Sequence, residues 1–507
     1  MKNEFLETYE DLIEGTYSCP DRVVIKGTLH KACFADGMMC ILNQHEVLYK
    51  DYKTFVAPFR DEIIKNAEAI SVAEQVPITP IYGGSTRKED LVKEHLEKRG
   101  DHPGLVCILK VMEGCNNYKY HFNPKNRRSS LKRVTAKCNH YYFYFIDEDY
   151  GLCYLRVPTW CPFQLQFYFN GHNWLANQLD KAGVGYELKD NAFVHIDDYE
   201  KAQALADQLD VRKLHNRIDR YAQKYCPAAF RLSPVGYRWS IMQVEYATDI
   251  VFKDKKSLAL IYDEILKTVM HTVTPDDVAR FLGRKGVHGK NNQDLETSYK
   301  KVIRQEMRRI KHKMGPSSVK IYDKFGRVLR IETTTNNVSH FSHYRSVEHR
   351  DGMKTSKVAP VKKTIYSLRS LVPIFKGCNN RYLKFIAAID TPISGRKRLQ
   401  KISSSTKVKG RSYRGFNLFD PDDERLLIAI ASGDFCITGL SNKHLRALIP
   451  NKTTEQISRI LKRLRLKGLI KKVKNTYRYY LTTLGRKVIN IALKIKELFI
   501  VHSLDYV

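Results

Sequence analysis

The sequence predicts an α+β chain of several domains: a helical amino-terminal region, a central α+β domain on a mixed or antiparallel sheet, and a compact carboxyl-terminal module. Three observations predict it. The 507 residues exceed what one core organises, since single cores stop growing near roughly 250–300 residues. Between residues 104 and 340, runs rich in β-branched and aromatic residues alternate with helical periodicity. Beyond residue 420, helical stripes give way to two short strands around a turn.

In order, residues 1–100 read as a helical accessory region. Val23–Ile25 is strand-like, Tyr52–Ala73 carries an apolar helical face, and Lys88–Lys98 is a mixed-charge helix. The 104–340 domain opens with the strand Leu105–Val111, followed by Lys137–Ile146, Leu152–Val157 and Gln164–Phe169. Helices are expected at 173–181, 197–209, 211–225, 257–268 and 276–282, and Arg238–Phe252 starts as a strand. Ser298–Lys313 is strongly basic, and the strands Ser318–Tyr322 and Val328–Thr333 turn at Lys324-Phe325-Gly326. Residues 341–394 read as a helical extension. Residues 395–415 read as a flexible basic tether bearing Arg396, Lys397, Arg398 and Arg411.

The module at 416–507 is the most informative. Asp422 and Asp423 open a helix through Leu426, Leu427, Ile430 and Ala431, and Phe435-Cys436-Ile437 is β-prone. Ser441 caps a second helix closed by Pro450. Thr453 or Thr454 caps a third, whose Ile457, Ile460, Leu461 and Leu464 form one buried stripe. That leaves Gln456, Arg459, Lys462, Arg463, Arg465 and Lys467 for the outer face. Two strands around Lys474-Asn475-Thr476 make a hairpin carrying Lys471, Lys472, Lys474 and Arg478, and a last helix runs through Leu484, Val488, Ile491 and Leu498.

Helix, helix, basic helix, basic hairpin, helix is the order of a winged helix, which lays one helix in the DNA major groove. The phrase Leu464-Arg465-Leu466-Lys467-Gly468-Leu469-Ile470 resembles the junction of MarR-type and related bacterial regulators. On that resemblance Gln456, Arg459, Lys462 and Arg463 are expected to reach base edges, while the hairpin and tether grip phosphates. A winged helix used for protein contacts is the alternative.

Candidate chemistry lies in the central domain. A metal-dependent nuclease needs carboxylates converging from different strands, because Mg²⁺ prefers oxygen ligands and bridges to phosphate. Candidate metal ligands are Asp147, Asp323 and Glu332; Glu245 and Asp249, four apart, share one side of a strand or a helix. Lys320-Ile321-Tyr322-Asp323-Lys324 followed by Leu329-Arg330-Ile331-Glu332 resembles a segment of rolling-circle replication initiators. The resemblance implies carboxylates on adjacent strands holding a divalent metal and a tyrosine attacking a DNA phosphate, with Tyr322 and Lys324 as candidates. The His-hydrophobe-His metal motif of such nickases is absent; Val194-His195-Ile196-Asp197 and His340-Phe341-Ser342-His343 are loose relatives. Trp160, Tyr141–Phe145 and Phe163–Phe169 form either a base-stacking platform or core. Gly283–Lys290 lacks P-loop spacing.

Across its length the chain resembles an uncharacterised bacterial family, on phrases such as Glu245-Tyr246-Ala247-Thr248-Asp249 and Phe281-Leu282-Gly283-Arg284. Eighty-six basic against fifty-four acidic residues give +32, which favours a polyphosphate partner. No apolar run approaches membrane-spanning length, no signal-peptide core opens the chain, and eleven cysteines show no CxxC pair. The expectation is a cytoplasmic DNA-binding protein tied to a mobile element or replication. The alternative is a nickase using Mg²⁺ or Mn²⁺; RNA binding is a third reading. Carboxylates gathered in a basic cleft would favour the enzyme, and separated or arginine-paired ones a binding protein.

Overall fold

A computed structural model of the chain describes residues 3–83, 86–284, 295–302, 307–389, 399–408, 410–417, 419–431, 439–473 and 476–495. The chain is α+β, in two compact units, Met1–Ile386 and Ala387–Val507.

The first unit is built on one large mixed sheet. Its strands, with the small hairpin β7–β8 that stands apart, run in chain order. These are β1 (Ile13–Leu29), β2 (Ile78–Ile81), β3 (Gly104–Asn123), β4 (Arg128–Asp147), β5 (Gly151–Pro158), β6 (Leu165–Asn170), β7 (Tyr186–Lys189) and β8 (Ala192–Ile196). After them come β9 (Tyr237–Phe252), β10 (Leu295–Val302), β11 (Met307–Met314), β12 (Ser317–Lys324) and β13 (Val328–Thr335). Eleven of them order as β10-β11-β12-β13-β9-β1-β6-β5-β4-β3-β2, with only the β2–β3 pair parallel.

The amino-terminal stretch is not a separate accessory region. β1 pairs with β6 on one side and β9 on the other, so residues 13–29 lie in the middle of the sheet. Its extent was hidden because both faces are covered, which erases alternation, and because Pro20-Asp21-Arg22 interrupts the apolar run. The register explains the interruption. Pro20 pairs with Tyr246 and Val23 with Val244, so Asp21 and Arg22 together oppose Glu245 in a β-bulge.

Helices Tyr52–Ala73 and Val211–Tyr225 fall where apolar periodicity placed them. The aromatic strands are core. Phe143 and Phe145 stack on Tyr225, while Tyr142, Tyr144 and Tyr154 pack with Val92 of the Lys88–Arg99 helix on the opposite face. Phe163, Phe167 and Phe169 are fully buried, so the base-stacking platform is set aside.

Residues 341–394 are not simply helical. A hairpin, Ser342–Glu348 with Lys354–Pro360, precedes the helix Leu368–Ile389. That helix docks on the sheet through polar contacts: Asn379 Nδ2 donates to Tyr246 O at 3.2 Å and its Oδ1 accepts from Thr333 Oγ1 at 2.6 Å. Buried His312 on β11 bonds Tyr382 of the same helix at 2.9 Å and Thr297 at 3.0 Å. Burial pushes its imidazole down to about 4. The unfolded chain therefore binds the proton first, and stability held above pH 6.5 is lost as pH falls from there towards 4. Replacing His312 with Gln is expected to flatten that acid limb by about 2 kcal/mol, read from urea unfolding at pH 7 and pH 4.5.

In the second unit, helices Pro421–Ala431, Asn442–Leu448 and Thr454–Leu466 precede the paired strands Ile470–Lys472 and Tyr479–Leu481 and the helix Thr483–Ile495. Leu426, Leu427, Ile430, Leu445, Ile457, Leu461, Leu464 and Ile489 share one core. The tether is partly folded into this unit. Ile402 and Phe416 enter the same core, and Thr406–Val408 pairs with Arg411–Tyr413. Arg396, Lys397 and Arg398 lie outside the described residues, as do Phe435-Cys436-Ile437, Lys474 and Leu498. Among the described residues no helix is long and apolar enough to cross a membrane.

Candidate nucleic-acid interface and carboxylate centre

The helix Thr454–Leu466 begins in a capping box: the Thr453 side chain accepts from Gln456 N, and Gln456 Oε1 accepts from Thr453 N at 2.9 Å. Gln456 is thereby engaged at the helix start. Arg459, Lys462 and Arg465 stand exposed along the helix, and Lys471, Lys472 and Arg478 along the hairpin. Arg411, from the hairpin before Phe416, is exposed as well.

Two expected surface cations are not on the surface. Arg463 is buried, with Nη2 donating to Asp423 Oδ2 at 2.8 Å and to Gly415 O at 2.5 Å, and Nε to Arg414 O at 3.0 Å. Its guanidinium also lies 3.7 Å from the Phe416 ring centroid. Lys467 is fully buried and donates to Ser404 O and Thr406 Oγ1. The physical reason is the segment 399–417, which packs beside the third helix and offers bare carbonyls. Arg463 and Lys467 clamp it, so Arg463 is not a base-reading residue.

The carboxylate centre forms at the bulge of β1. Asp21, Glu245 on β9 and Glu332 on β13 each direct an oxygen to one place, all within 4.8 Å of one another. The pleat requires the last two to share a face: Glu332 pairs with Ala247, two residues from Glu245. On β12, Lys320 sits directly opposite Glu332 and donates to it at 2.5 Å, with Glu245 at 3.5 Å. The Tyr322 hydroxyl donates to the other Glu332 oxygen.

A second set of charges lies along the same face. Arg330 is fully buried and forks onto Asp249, with Nε to Oδ1 and Nη2 to Oδ2 both at 2.6 Å. Its Nη1 is 3.3 Å from Asp21 Oδ2. His172 lies between the two aspartates, 3.1 Å from Asp21 and 3.4 Å from Asp249, and the Tyr17 hydroxyl donates to Asp249 at 2.5 Å. Gly171 positions that histidine: a Cβ there would fall 1.9 Å from Pro20 O, so the helix Gly171–Ala182 can begin on the bulge only with glycine.

These neighbours set the protonation states. Burial would raise Asp21 and Asp249, but Arg330 and His172 hold both well below the usual carboxylate range. Burial would raise Glu332 too, yet the Lys320 ammonium and the hydrogen bonds from Lys320 and Tyr322 keep it low. Glu245 goes the other way. Burial and the adjacent Glu332 charge push it up to about 7. The centre thus holds one carboxyl that is half-protonated near neutrality beside two that stay ionised. Three oxygens this close can share a hard divalent cation, and the Lys320 ammonium occupies that role between Glu332 and Glu245.

Of the sequence candidates, Glu245, Glu332 and Tyr322 meet here. Asp249 is arginine-paired. Asp323 points to the opposite face of β12, where its backbone N–H donates to Tyr262 and it lines an open cavity with Lys253, Lys255 and Arg327. The one-residue offset from Tyr322 turns it away. Asp147 caps a turn: its Oδ1 accepts from the backbone of Asp149 and Tyr150, and its Oδ2 from Tyr221. Lys324 reaches Asn191 and Asp190, not Glu332. Sequence reading missed Asp21, Arg330 and His172. The available signal was a charged pair after a proline inside a strand, Pro20-Asp21-Arg22.

No family model, curated protein or solved structure matches the chain.

Proposed function

We propose that this is a duplex-DNA-binding protein whose Ala387–Val507 unit acts as a winged helix, similar in arrangement to MarR-type regulators, serving a mobile element or replication. The observation that carries the reading is the shared exposure of Arg459, Lys462 and Arg465 on the third helix with Lys471, Lys472 and Arg478 on the hairpin. Buried Arg463 and Lys467 leave those cations as the face available to phosphate. Arg459 and Arg465 offer bidentate donors for guanine edges, while the lysines add sequence-blind, salt-dependent affinity. Titrating a labelled duplex across a salt series tests it. Four phosphate contacts, by Lys462, Lys471, Lys472 and Arg478, would give a slope of log K against log salt of about −4; a flat dependence would contradict it.

A second reading, a metal-dependent DNA nickase, is favoured by one observation: Asp21, Glu245 and Glu332 converge from three adjacent strands. Mg²⁺ or Mn²⁺ held there would take the place of the Lys320 ammonium between Glu332 and Glu245. On supercoiled plasmid with Mn²⁺, Glu245→Gln and Glu332→Gln are expected to abolish nicking, while Asp323→Asn retains it. Equal loss in all three, or nicking that survives both glutamate changes, would remove this centre from the chemistry.

A further inference from the structure

The described parts of the basic stretch noted at Ser298–Lys313 lie in β10 and β11 at one edge of the sheet, and their arrangement is costly for folding. Across the ladder Lys300 pairs with Arg309, and Lys311 pairs with Lys320. Like charges directly opposite one another destabilise a strand pair. Arg309, Lys311 and Lys313, alternate residues of β11, all point to the face that carries Lys320 and Glu332. Burial and the charges of Lys320, Arg309 and Lys313 hold the Lys311 ammonium below its ordinary value. Lys320 is offset by Glu332 and Glu245, and Lys313 faces Glu296 across the ladder, whereas Arg309 and Lys311 have no carboxylate at ion-pair distance among the described residues.

The helices that pack on these strands do so from the other side. Tyr262 bonds Arg308 O, Arg308 pairs with Asp263, and His312 meets Tyr382. The row of cations is partly exposed and runs alongside the carboxylate centre, with Lys311 opposite Lys320 and Lys320 opposite Glu332.

We propose that Arg309, Lys311 and Lys313 form a second nucleic-acid surface, which tracks the phosphate backbone of a single DNA strand and holds it alongside Lys320 and Glu245. Alternate residues on a strand lie about 6.6 Å apart, the step of one nucleotide in an extended backbone. Lys320 and Glu245, at 11% and 15% side-chain exposure, lie beside the middle of the row, Lys320 directly opposite Lys311. The phosphates would neutralise the facing cations and relieve the repulsion that the empty face retains. This surface is independent of the duplex-binding reading of the second unit.

The test uses the full chain and a labelled single-stranded oligonucleotide over a salt series. The variant Arg309→Gln/Lys311→Gln/Lys313→Gln is compared with Lys189→Gln/Lys253→Gln/Lys255→Gln, which removes the same charge around the cavity beside Asp323. The β11 variant is expected to bind the single strand ten- to a hundredfold more weakly at low salt, with a slope shallower by about 2. Its melting temperature should stay level or rise, because like-charge contacts are removed, and its duplex binding should persist through the second unit. Unchanged single-strand affinity and slope would overturn the proposal, as would an equal loss in the cavity variant, which would make the effect one of net charge. If duplex binding fails in the wild type while the β11 effect stands, the winged-helix reading falls alone.

Discussion

Replacing Arg330 with leucine is expected to destabilise the first unit by about 3–5 kcal/mol, the usual consequence of removing one partner from a buried ion pair. Among the described residues Arg330 is the largest fully buried side chain, and two carboxylates depend on it. Without it, Asp249 keeps Tyr17 and His172, and Asp21 keeps His172, Asn170 and Asn191. Both carboxyls would then rise towards protonation. The loss should therefore be largest near neutral pH and shrink in acid, where the orphaned aspartates take up protons. Denaturant unfolding of wild type and Arg330→Leu at pH 7 and pH 5 reads this directly. A difference below about 1 kcal/mol at both would mean that the buried network is not what ties β13, β9 and β1 together.

The second large effect belongs to the other unit. Arg459→Ala/Lys462→Ala/Lys471→Ala/Lys472→Ala removes four exposed cations without touching the core or the Arg463–Asp423 pair. Duplex affinity at low salt is expected to fall by a hundredfold or more, and the salt slope to become shallower by roughly 3. Thermal unfolding should scarcely move, since isolated surface charges contribute little to stability. Arg463→Ala is the informative contrast. It should lower the stability of the second unit, because the carbonyls of Arg414 and Gly415 lose their side-chain donor and Asp423 loses one of its partners.

What was legible in the sequence followed local physics. Tyr52–Ala73, Val211–Tyr225 and the third helix of the second unit announce themselves by period and caps, and the pleat alone puts Lys320 and Tyr322 opposite Asp323 in facing. What was not legible depended on long-range pairing. Asp21 meets Glu245 and Glu332 across more than two hundred residues of chain, and only the bulge register reveals it. Arg463 looked like a surface cation because helical spacing gives the face of a residue, not what the preceding segment packs against that face. Asp323 was chosen for its neighbours in sequence, yet the strand period sends it to the helix-covered side.

Amide hydrogen exchange on the full chain, with and without duplex DNA, tests the central claim most directly. If the second unit is the DNA-reading element, protection should appear in 454–466 and in the paired strands up to Leu481, with the first helix of that unit little changed. Exchange across 454–481 that is identical with and without bound duplex would contradict it and move the DNA site elsewhere on the chain.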